Sequence, residues 1–205
     1  MNKPLRHHET RPRTGRIGPN AVTRVAEALA GDPDLRLAVF RRAGCLRHLA
    51  APPTAMVDEH DVAALHEALH VLAGEERAAA ISREAGRLTA DYLLANRIPR
   101  AAQWILRRLP RRLALRILAR AVARHAWTFA GSGVFTYAFE PDLVLQIENS
   151  PVARLVTTHA PACTYYAAVF EGLFAGAIGM AARVTETHCE ACGHGSCRFI
   201  LTTVG

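Results

Sequence analysis

The chain has 205 residues, of which 50% are hydrophobic and 21% are charged. This composition excludes an intrinsically disordered protein, and the length suits one domain with a sizeable core. The net charge of +7 comes almost wholly from arginine, because Lys3 is the only lysine. Such a charge favours an acidic partner, an anionic membrane surface or nucleic acid. The first twenty residues are basic but contain no apolar segment, so we expect no secretory signal and a cytoplasmic protein.

Residues 1–17 are polar and basic and are predicted to form a disordered tail, whereas residues 18–205 are predicted to form a single domain. Its first part, residues 18–124, is predicted to be helical. Apolar periodicity together with glycine and proline positions predicts six helices, at Ala21–Ala30, Asp34–Arg42, Asp58–Leu72, Glu75–Asn96, Ala101–Leu109 and Arg111–Arg124.

The pattern changes in the second part, residues 125–205. Residues 127–130 and 134–139 are rich in aromatic and β-branched side chains, which favours strands, and Leu143–Glu148 alternates as a half-buried strand does. The apolar run Thr164–Ala182 is interpreted as a buried helix, because Glu171 and three glycines interrupt it. Helices followed by a small antiparallel sheet with one crossing helix predict an α+β fold, closed by a hairpin of Arg183–Glu190 and Cys197–Thr203.

Four of the five cysteines lie between residues 163 and 197. The Cys-x2-Cys-x4-Cys spacing of Cys189, Cys192 and Cys197, together with Cys163 and nearby glutamates and histidines, is typical of a metal site. Three thiolates and one further ligand would close a tetrahedral zinc site, which is normally structural. Reduced cysteines in the core are the alternative. A disulfide is disfavoured, because nothing in the sequence indicates export.

His66, Glu67 and His70 form the His-Glu-x-x-His pattern of zinc peptidases, in which Glu67 would activate a zinc-bound water. A peptidase also needs a third ligand, and no downstream signature supplies one. The favoured interpretation is an amphipathic helix with lateral histidines and four inward apolar side chains, Val62, Leu65, Leu69 and Leu72.

The segment from Arg97 to Arg124 contains nine arginines and no acidic residue. Arg116, Arg120 and Arg124 recur every fourth residue and form a positive stripe on one face of their predicted helix. A solvated face, docking on anionic lipid or an acidic enzyme, and pairing with ligand carboxylates all remain open. Nucleic acid is not expected as a partner, because no recognised binding motif accompanies the charge.

Aromatic side chains are concentrated in the second part of the chain. Tyr166, Phe170 and Phe174 share one face of the predicted buried helix, and Trp127 and Phe129 lie in the first aromatic-rich stretch. Such a stripe is more typical of a core than of a pocket, although a flat apolar ligand would use the same wall.

Redox and acyl-transfer signatures are missing from the sequence. It has no glycine-rich dinucleotide loop after a strand and no flavin signature, so a reductase would lack its own electron source. His125 is interpreted as a half-buried histidine in preference to an axial ligand. The residues therefore favour a small-molecule binding module with structural zinc over an enzyme.

Four segments carry a family signature: Gly15–Ala21, Leu93–Pro99, Ala167–Gly176 and the terminal Cys189–Phe199. Together they resemble the 4-vinyl reductase domain family, over nearly the whole chain from residue 15 onward. The resemblance implies a fold similar to that of a vesicle-tethering subunit, with helices packed on a small antiparallel sheet. Because the same domain senses aromatic compounds in certain bacterial transcription activators, often as a dimer, the resemblance also implies a homodimer.

The resemblance refines the zinc ligands. In the sensors of the family, three cysteines and a glutamate hold zinc, and that spacing carries over onto Cys163, Glu186, Cys189 and Cys197, with Cys192 as a competitor of Glu186. Residues i and i+3 of a regular strand face opposite sides, so Glu186 and Cys189 require a bulge or a turn between them.

The family name implies reduction of a vinyl group on a chlorophyllide-type tetrapyrrole of bacteriochlorophyll biosynthesis. A magnesium tetrapyrrole is flat and apolar and carries a carboxylate, which suits an aromatic pocket with arginine nearby. We predict a protein that binds a divinyl intermediate and presents it to other bacteriochlorophyll-synthesis enzymes, with peripheral contact to the inner, photosynthetic membrane. The alternatives are a 4-vinyl reductase with an external electron donor and an aromatic-ligand sensor. The predicted pocket residues are Trp127, Phe129, Tyr166, Phe170 and Phe174.

Overall fold

The computed structural model describes residues 15–203. The helices are α1 (Asn20–Ala28), α2 (Pro33–Arg42), α3 (Arg47–Ala50), α4 (Glu59–Ala73), α5 (Glu75–Asn96), α6 (Arg100–Leu106), α7 (Arg111–Arg124) and α8 (Thr164–Ile178). The strands are β1 (Arg16–Ile17), β2 (Val57–Asp58), β3 (Val134–Glu140), β4 (Asp142–Glu148), β5 (Ala182–His188) and β6 (Cys197–Thr203).

The α+β prediction is confirmed. Helices α1 to α7 precede a four-stranded sheet with the order β3-β4-β6-β5, in which every neighbouring pair is antiparallel. The expected closing hairpin is the β5–β6 pair. Helix α8 connects the two halves of the sheet in sequence and packs against both β5 and α5.

Helices α5 and α8 form the most extensive helix contact of the fold. Gly86 allows this close approach, because a Cβ atom there would lie 2.3 Å from the backbone oxygen of Tyr165. The buried Thr89 hydroxyl lies 3.1 Å from the Tyr165 hydroxyl and donates to the Ala85 carbonyl, so the polar groups of the contact are paired. The N-terminus of α8, which carries Cys163, is thereby fixed against the helical part.

Two short strands were not expected from the sequence. Arg16 and Ile17 of β1 pair with Asp58 and Val57 of β2, and Ile17 is only 1% exposed. Residues 15–17, which we assigned to a disordered tail, therefore belong to the fold. The remainder of that predicted tail, residues 1–14, lies outside the described residues.

The apolar run from residue 164 ends its helix earlier than expected. Gly179 adopts a left-handed conformation with φ of 73°, which terminates α8 at Ile178, and Ala182 already belongs to β5. Among residues 15–203, no helix combines the length and apolarity needed to cross a bilayer. The strand favoured for residues 127–130 is also wrong, because Ala126–Thr128 form a 3₁₀ turn.

The histidines of α4 point inward, in contrast to the lateral placement that we expected. His66 is fully buried with its ring 5.8 Å from that of Tyr165, whereas Leu72, expected inward, is 43% exposed. Burial lowers the pKa of His66 to about 3, so the ring is neutral at physiological pH. Neither His66 nor His70 has a hydrogen-bond partner or a place in a group of three metal-binding side chains within the described residues. The structure therefore gives the peptidase hypothesis no support.

A buried ion pair joins the helical part to the sheet. The Glu59 carboxylate, at the start of α4, accepts hydrogen bonds from Arg154 Nη1 (2.7 Å), from the Ser132 amide (2.7 Å) and from the Ser132 hydroxyl (2.6 Å). Ser132 precedes β3 and Arg154 follows β4, so one carboxylate holds both ends of the β3–β4 hairpin.

Candidate metal centre

The four predicted ligands come from three elements that meet at one end of the sheet. Cys163 is the N-cap of α8, Glu186 lies in β5, Cys189 follows β5, and Cys197 begins β6. The β5–β6 register shifts between Glu186 and His188, since Glu186 pairs with Phe199 but His188 pairs with Arg198. The expected bulge is confirmed, and it lets Glu186 and Cys189 face the same point.

The distances within this cluster suit a metal ion. The four donor atoms all lie within 4.8 Å of one another. Cys163 Sγ is 3.3 Å from Cys197 Sγ and 3.9 Å from Cys189 Sγ. Tetrahedral zinc with Zn–S bonds of about 2.3 Å places sulfur atoms about 3.8 Å apart. The three thiols are free and fully buried.

Two features of the polar atoms fit a cation at the centre of the cluster. Glu186 Oε2 accepts from the Cys163 amide at 2.8 Å, whereas Glu186 Oε1 is buried without any hydrogen-bond partner. Backbone amides of Ala162 and Glu190 point at the sulfurs of Cys189 and Cys197, at 3.4 and 3.5 Å, as they do toward metal-bound thiolates. An orphaned carboxylate oxygen facing three sulfurs is costly unless a positive charge lies between them.

The protonation of the isolated cluster indicates the same need. Burial raises the pKa of Glu186 to about 9, with the neighbouring Cys189 adding to the rise. Burial also raises the pKa of the Cys163 thiol well above its ordinary value. Hydrogen bonds from the Cys163 and Cys197 thiols lower the pKa of Cys189. One negative charge is therefore tolerated in the cluster and further ones are opposed, which a divalent cation would reverse.

Cys192, the competing ligand, lies outside this group of four. It follows the bulged end of β5 in a short 3₁₀ turn, Glu190–Cys192, and its sulfur lies 3.8 Å from the Thr158 hydroxyl. The histidines of the same turn also stand apart from the four donors. His188 and His194 pack edge to face with ring centroids 4.9 Å apart, and His194 Nδ1 lies 3.1 Å from the Cys189 carbonyl.

Glu190 supports the centre, and sequence reasoning did not identify it. Its carboxylate accepts from the backbone amides of Asn149 (2.6 Å) and Ser150 (2.7 Å). This contact fixes the loop after β4, whose Ser150 hydroxyl lies 3.8 Å from Cys163 Sγ. The position of Glu190 beside Cys189 was the available signal, but the loop that it binds lies 40 residues earlier in the chain.

A second group of metal-binding side chains, Cys45, His48 and Asp61, also lies within 4.8 Å. Its donors already have partners, since the Cys45 thiol is 3.3 Å from the Ala43 carbonyl and His48 Nε2 is 2.9 Å from Asp61. Arg47 forms an ion pair with the same carboxylate and places a positive charge beside the group. These contacts describe a hydrogen-bonded corner between α3 and α4 and disfavour a cation.

The predicted pocket residues form part of one aromatic cluster. Tyr166 and Phe170 stack with centroids 6.2 Å apart, and Phe129 packs edge to face on both. The Tyr166 hydroxyl donates to the Phe129 carbonyl at 2.7 Å. Tyr166, Phe170 and Phe174 are at most 1% exposed, whereas Trp127 is 39% exposed. The cluster thus has a closed interior and an accessible edge at the 3₁₀ turn.

Comparison with known proteins places these features in a family. The profile of the 4-vinyl reductase domain matches residues 143–203, which include β4, α8, β5, β6 and all four donors. Over 192 residues the chain is 41% identical to the bacteriochlorophyll synthase 23 kDa chain of Cereibacter sphaeroides, covering 93% of this chain and 92% of that one. The chain belongs to the 4-vinyl reductase domain family.

A second relative of this 4-vinyl reductase domain chain is the bacteriochlorophyll synthase 23 kDa chain of Rhodobacter capsulatus, which is 38% identical over 93% of this chain and 88% of that one. Among solved structures, an H-NOX protein from S. oneidensis in the Fe(II)NO ligation state superimposes with a TM-score of 0.51. That match covers 92% of this chain and all of the other at 10% identity, so the likeness concerns the fold alone.

Proposed function

We propose that this protein acts in bacteriochlorophyll biosynthesis, where it binds a divinyl chlorophyllide-type tetrapyrrole and presents it to the enzymes that reduce the vinyl group. The observation that carries this proposal is the identity of 41% with a bacteriochlorophyll synthase chain over 93% of the sequence. The coverage is almost complete in both proteins, so the relation extends to the whole chain and is not confined to one shared segment.

The edge of the aromatic cluster supports the proposal chemically. Trp127 and the half-buried Phe129 offer aromatic surface beside solvent, with Tyr166, Phe170 and Phe174 behind them. A flat macrocycle can stack on the outer rings and needs the Phe129–Tyr166 contact to open before it can enter further. Arg124, exposed three residues before Trp127, can pair with the carboxylate of the pigment.

His125 supplies a ligand for magnesium at the same edge. Its Nδ1 lies 2.9 Å from the Ala121 carbonyl, which can only accept a hydrogen bond, so Nδ1 carries the proton in the neutral ring. The lone pair is then on Nε2 of an exposed imidazole two residues before Trp127. We therefore prefer the axial-ligand interpretation of His125, which the sequence alone had disfavoured.

The proposal assigns zinc a structural role. Cys163, Glu186, Cys189 and Cys197 would complete a four-ligand site without an open position, and zinc there would join α8 to β5 and β6. A bound zinc ion of this kind supplies folding energy and takes no part in the chemistry of the pigment.

Reduction by this chain alone would need an electron donor that its sequence does not provide. The test is therefore to mix the purified full chain with divinyl protochlorophyllide, with and without NADPH and reduced ferredoxin. We expect a shifted visible spectrum and recovery of the divinyl pigment unchanged in every sample. Monovinyl product that requires both protein and donor would establish a reductase in place of a carrier, and an unshifted spectrum would refute pigment binding.

The His125→Ala variant sharpens the test. Loss of an axial nitrogen should weaken pigment binding about tenfold or more and change the band position of the remaining complex. His60→Ala, which removes an exposed histidine from α4, is the matched control and should bind as the parent does. Equal effects of the two substitutions would remove His125 from the site.

A further inference from the structure

The segment that contains α6 and α7 carries positive charge without compensation. All nine of its arginines are exposed, and no ion pair within residues 15–203 includes any of them. The nearest acidic residues in sequence are Asp91 and Glu140. The exposed arginines are Arg97, Arg100, Arg107, Arg108, Arg111, Arg112, Arg116, Arg120 and Arg124.

Apolar side chains lie exposed among these arginines. On α7, Leu113 and Ile117 are each 44% exposed and stand one turn apart, beside a parallel row of arginines. The opposite face of the helix is buried in the core, so these two residues are not directed inward by any packing requirement. The arginines of that row are Arg112, Arg116, Arg120 and Arg124.

Helix α6 repeats the combination. Trp104 is 57% exposed and Ile105 is 51% exposed, the two largest exposures among tryptophan and isoleucine side chains of the described residues. The guanidinium of Arg108 lies 3.6 Å from the centroid of the Trp104 ring, a cation–π contact. Only residues 107–110 separate α6 from α7, so the outward surfaces of the two helices adjoin.

This pattern matches the requirements of an anionic lipid surface. Tryptophan and branched apolar side chains favour the headgroup–acyl boundary, and flanking arginines pair with phosphates and are attracted by the negative surface potential. An acidic protein would satisfy the charges but would need complementary pockets for four apolar side chains spread over two helices. A fluid bilayer accepts them without preformed pockets.

We propose that the outer face of α6 and α7 binds the surface of an anionic phospholipid membrane, with Trp104, Ile105, Leu113 and Ile117 entering the interface and the arginines contacting phosphates. This proposal does not depend on pigment binding, because it uses neither the aromatic cluster nor the metal centre.

Vesicle flotation with the full-length protein tests the proposal. Vesicles of phosphatidylcholine with 30% phosphatidylglycerol (roughly the anionic content that gives a strong surface potential) are compared with phosphatidylcholine alone. We expect binding only to the anionic vesicles, weakened by raising the salt from about 50 to 500 mM. In a Trp127→Phe background, brominated lipid should quench the remaining tryptophan, Trp104, which reports entry into the interface.

Two double variants separate charge from insertion. Arg116→Gln/Arg120→Gln should lower the partition coefficient about 25-fold, at about fivefold for each arginine near the surface. Its control is Arg41→Gln/Arg83→Gln, which removes the same charge from exposed positions elsewhere and should lower partition only slightly.

Trp104→Ala/Ile105→Ala should lower partition at least about tenfold, since each side chain loses a sizeable transfer free energy. Its control is Val71→Ala/Leu72→Ala on α4, where both side chains are also exposed and partition should not change.

Four outcomes would overturn the proposal. They are equal binding to neutral and anionic vesicles, absence of binding to both, an unquenched Trp104 in the bound state, and equal losses from test and control variants. Equally tight capture on soluble polyglutamate without vesicle binding would instead identify an acidic protein surface as the partner. A pigment assay that fails while vesicle binding persists would reject the proposed function and leave this membrane surface standing.

Discussion

Replacing Glu59 by glutamine should destabilise the fold by about 3 kcal/mol, because the buried carboxylate is the common acceptor for Arg154 and Ser132. Glutamine keeps the size of the side chain but removes its charge and turns one acceptor oxygen into a donor. Arg154, whose side chain is only 27% exposed, would keep its charge without this carboxylate partner.

The magnitude follows from burial. Breaking a buried ion pair by removing one partner costs about 3–5 kcal/mol, and we take the lower end because Arg154 retains bonds to Asn149. For a chain of this length, about 3 kcal/mol corresponds to a fall in melting temperature of about 6–12 °C. Glu67→Gln on the same helix is the matched control, since its pair with Arg42 is solvent-exposed and should contribute at most about 1 kcal/mol.

The assay is urea unfolding followed by circular dichroism, together with calorimetry, on the parent and both variants at pH 7. A difference of less than about 1 kcal/mol between Glu59→Gln and Glu67→Gln would refute the assignment of the Glu59 pair as the bridge between helices and sheet. A changed m-value would indicate a less compact denatured or native state, and the comparison would then rest on the calorimetric data.

The pH dependence gives an independent test. Burial alone would raise the pKa of Glu59, but the hydrogen bonds from Arg154 and Ser132 and the charge of Arg154 outweigh it and lower the pKa below 4.5. A lowered folded-state pKa means that the stabilisation is fully present above pH 4.5 and is lost as the pH falls through the folded value. The stability difference between parent and Glu59→Gln should therefore be constant from about pH 7 to 5 and shrink below about pH 4.5.

Two further predictions concern the metal centre and the helix contact. Cys163→Ser should lower zinc content measured by atomic absorption and reduce the melting temperature by about 10 °C or more, because structural zinc contributes roughly 10–16 kcal/mol; Cys192→Ser should change neither, and loss of zinc in that variant would contradict the ligand set. Gly86→Ala should cost about 1–3 kcal/mol in urea unfolding, because its Cβ would meet the Tyr165 carbonyl. Gly31→Ala, with no atom within 4 Å, should stay within about 0.5 kcal/mol, and equal costs at both positions would contradict the close approach.

Local patterns predicted the long elements well. Helix α5 occupies the expected Glu75–Asn96, and strand β6 the expected Cys197–Thr203, because sustained periodicity and flanking glycine or proline define such segments without reference to the rest of the chain. The bulge between Glu186 and Cys189 could also be anticipated, since strand geometry alone would place the two side chains on opposite faces.

Features that depend on distant partners could not be predicted in the same way. Strand β1 pairs with residues about 40 positions later and spans only Arg16–Ile17, too short to show a period. The inward turn of His66 follows from α4 lying between α2 and α5, a packing that covers faces which its own sequence leaves polar. The Glu59–Arg154 pair joins residues 95 positions apart, and nothing near either one marks it.

The strand order also determines when the fold can be completed during protein synthesis. Strand β6 lies between β4 and β5, yet it is translated after both. Until residues 197–203 leave the ribosome, the nascent chain exposes one edge of β4 and a β5 without a partner, and such edges are sites of aggregation. Cys197 arrives with the same strand, so sheet closure and completion of the four-donor cluster become one late event.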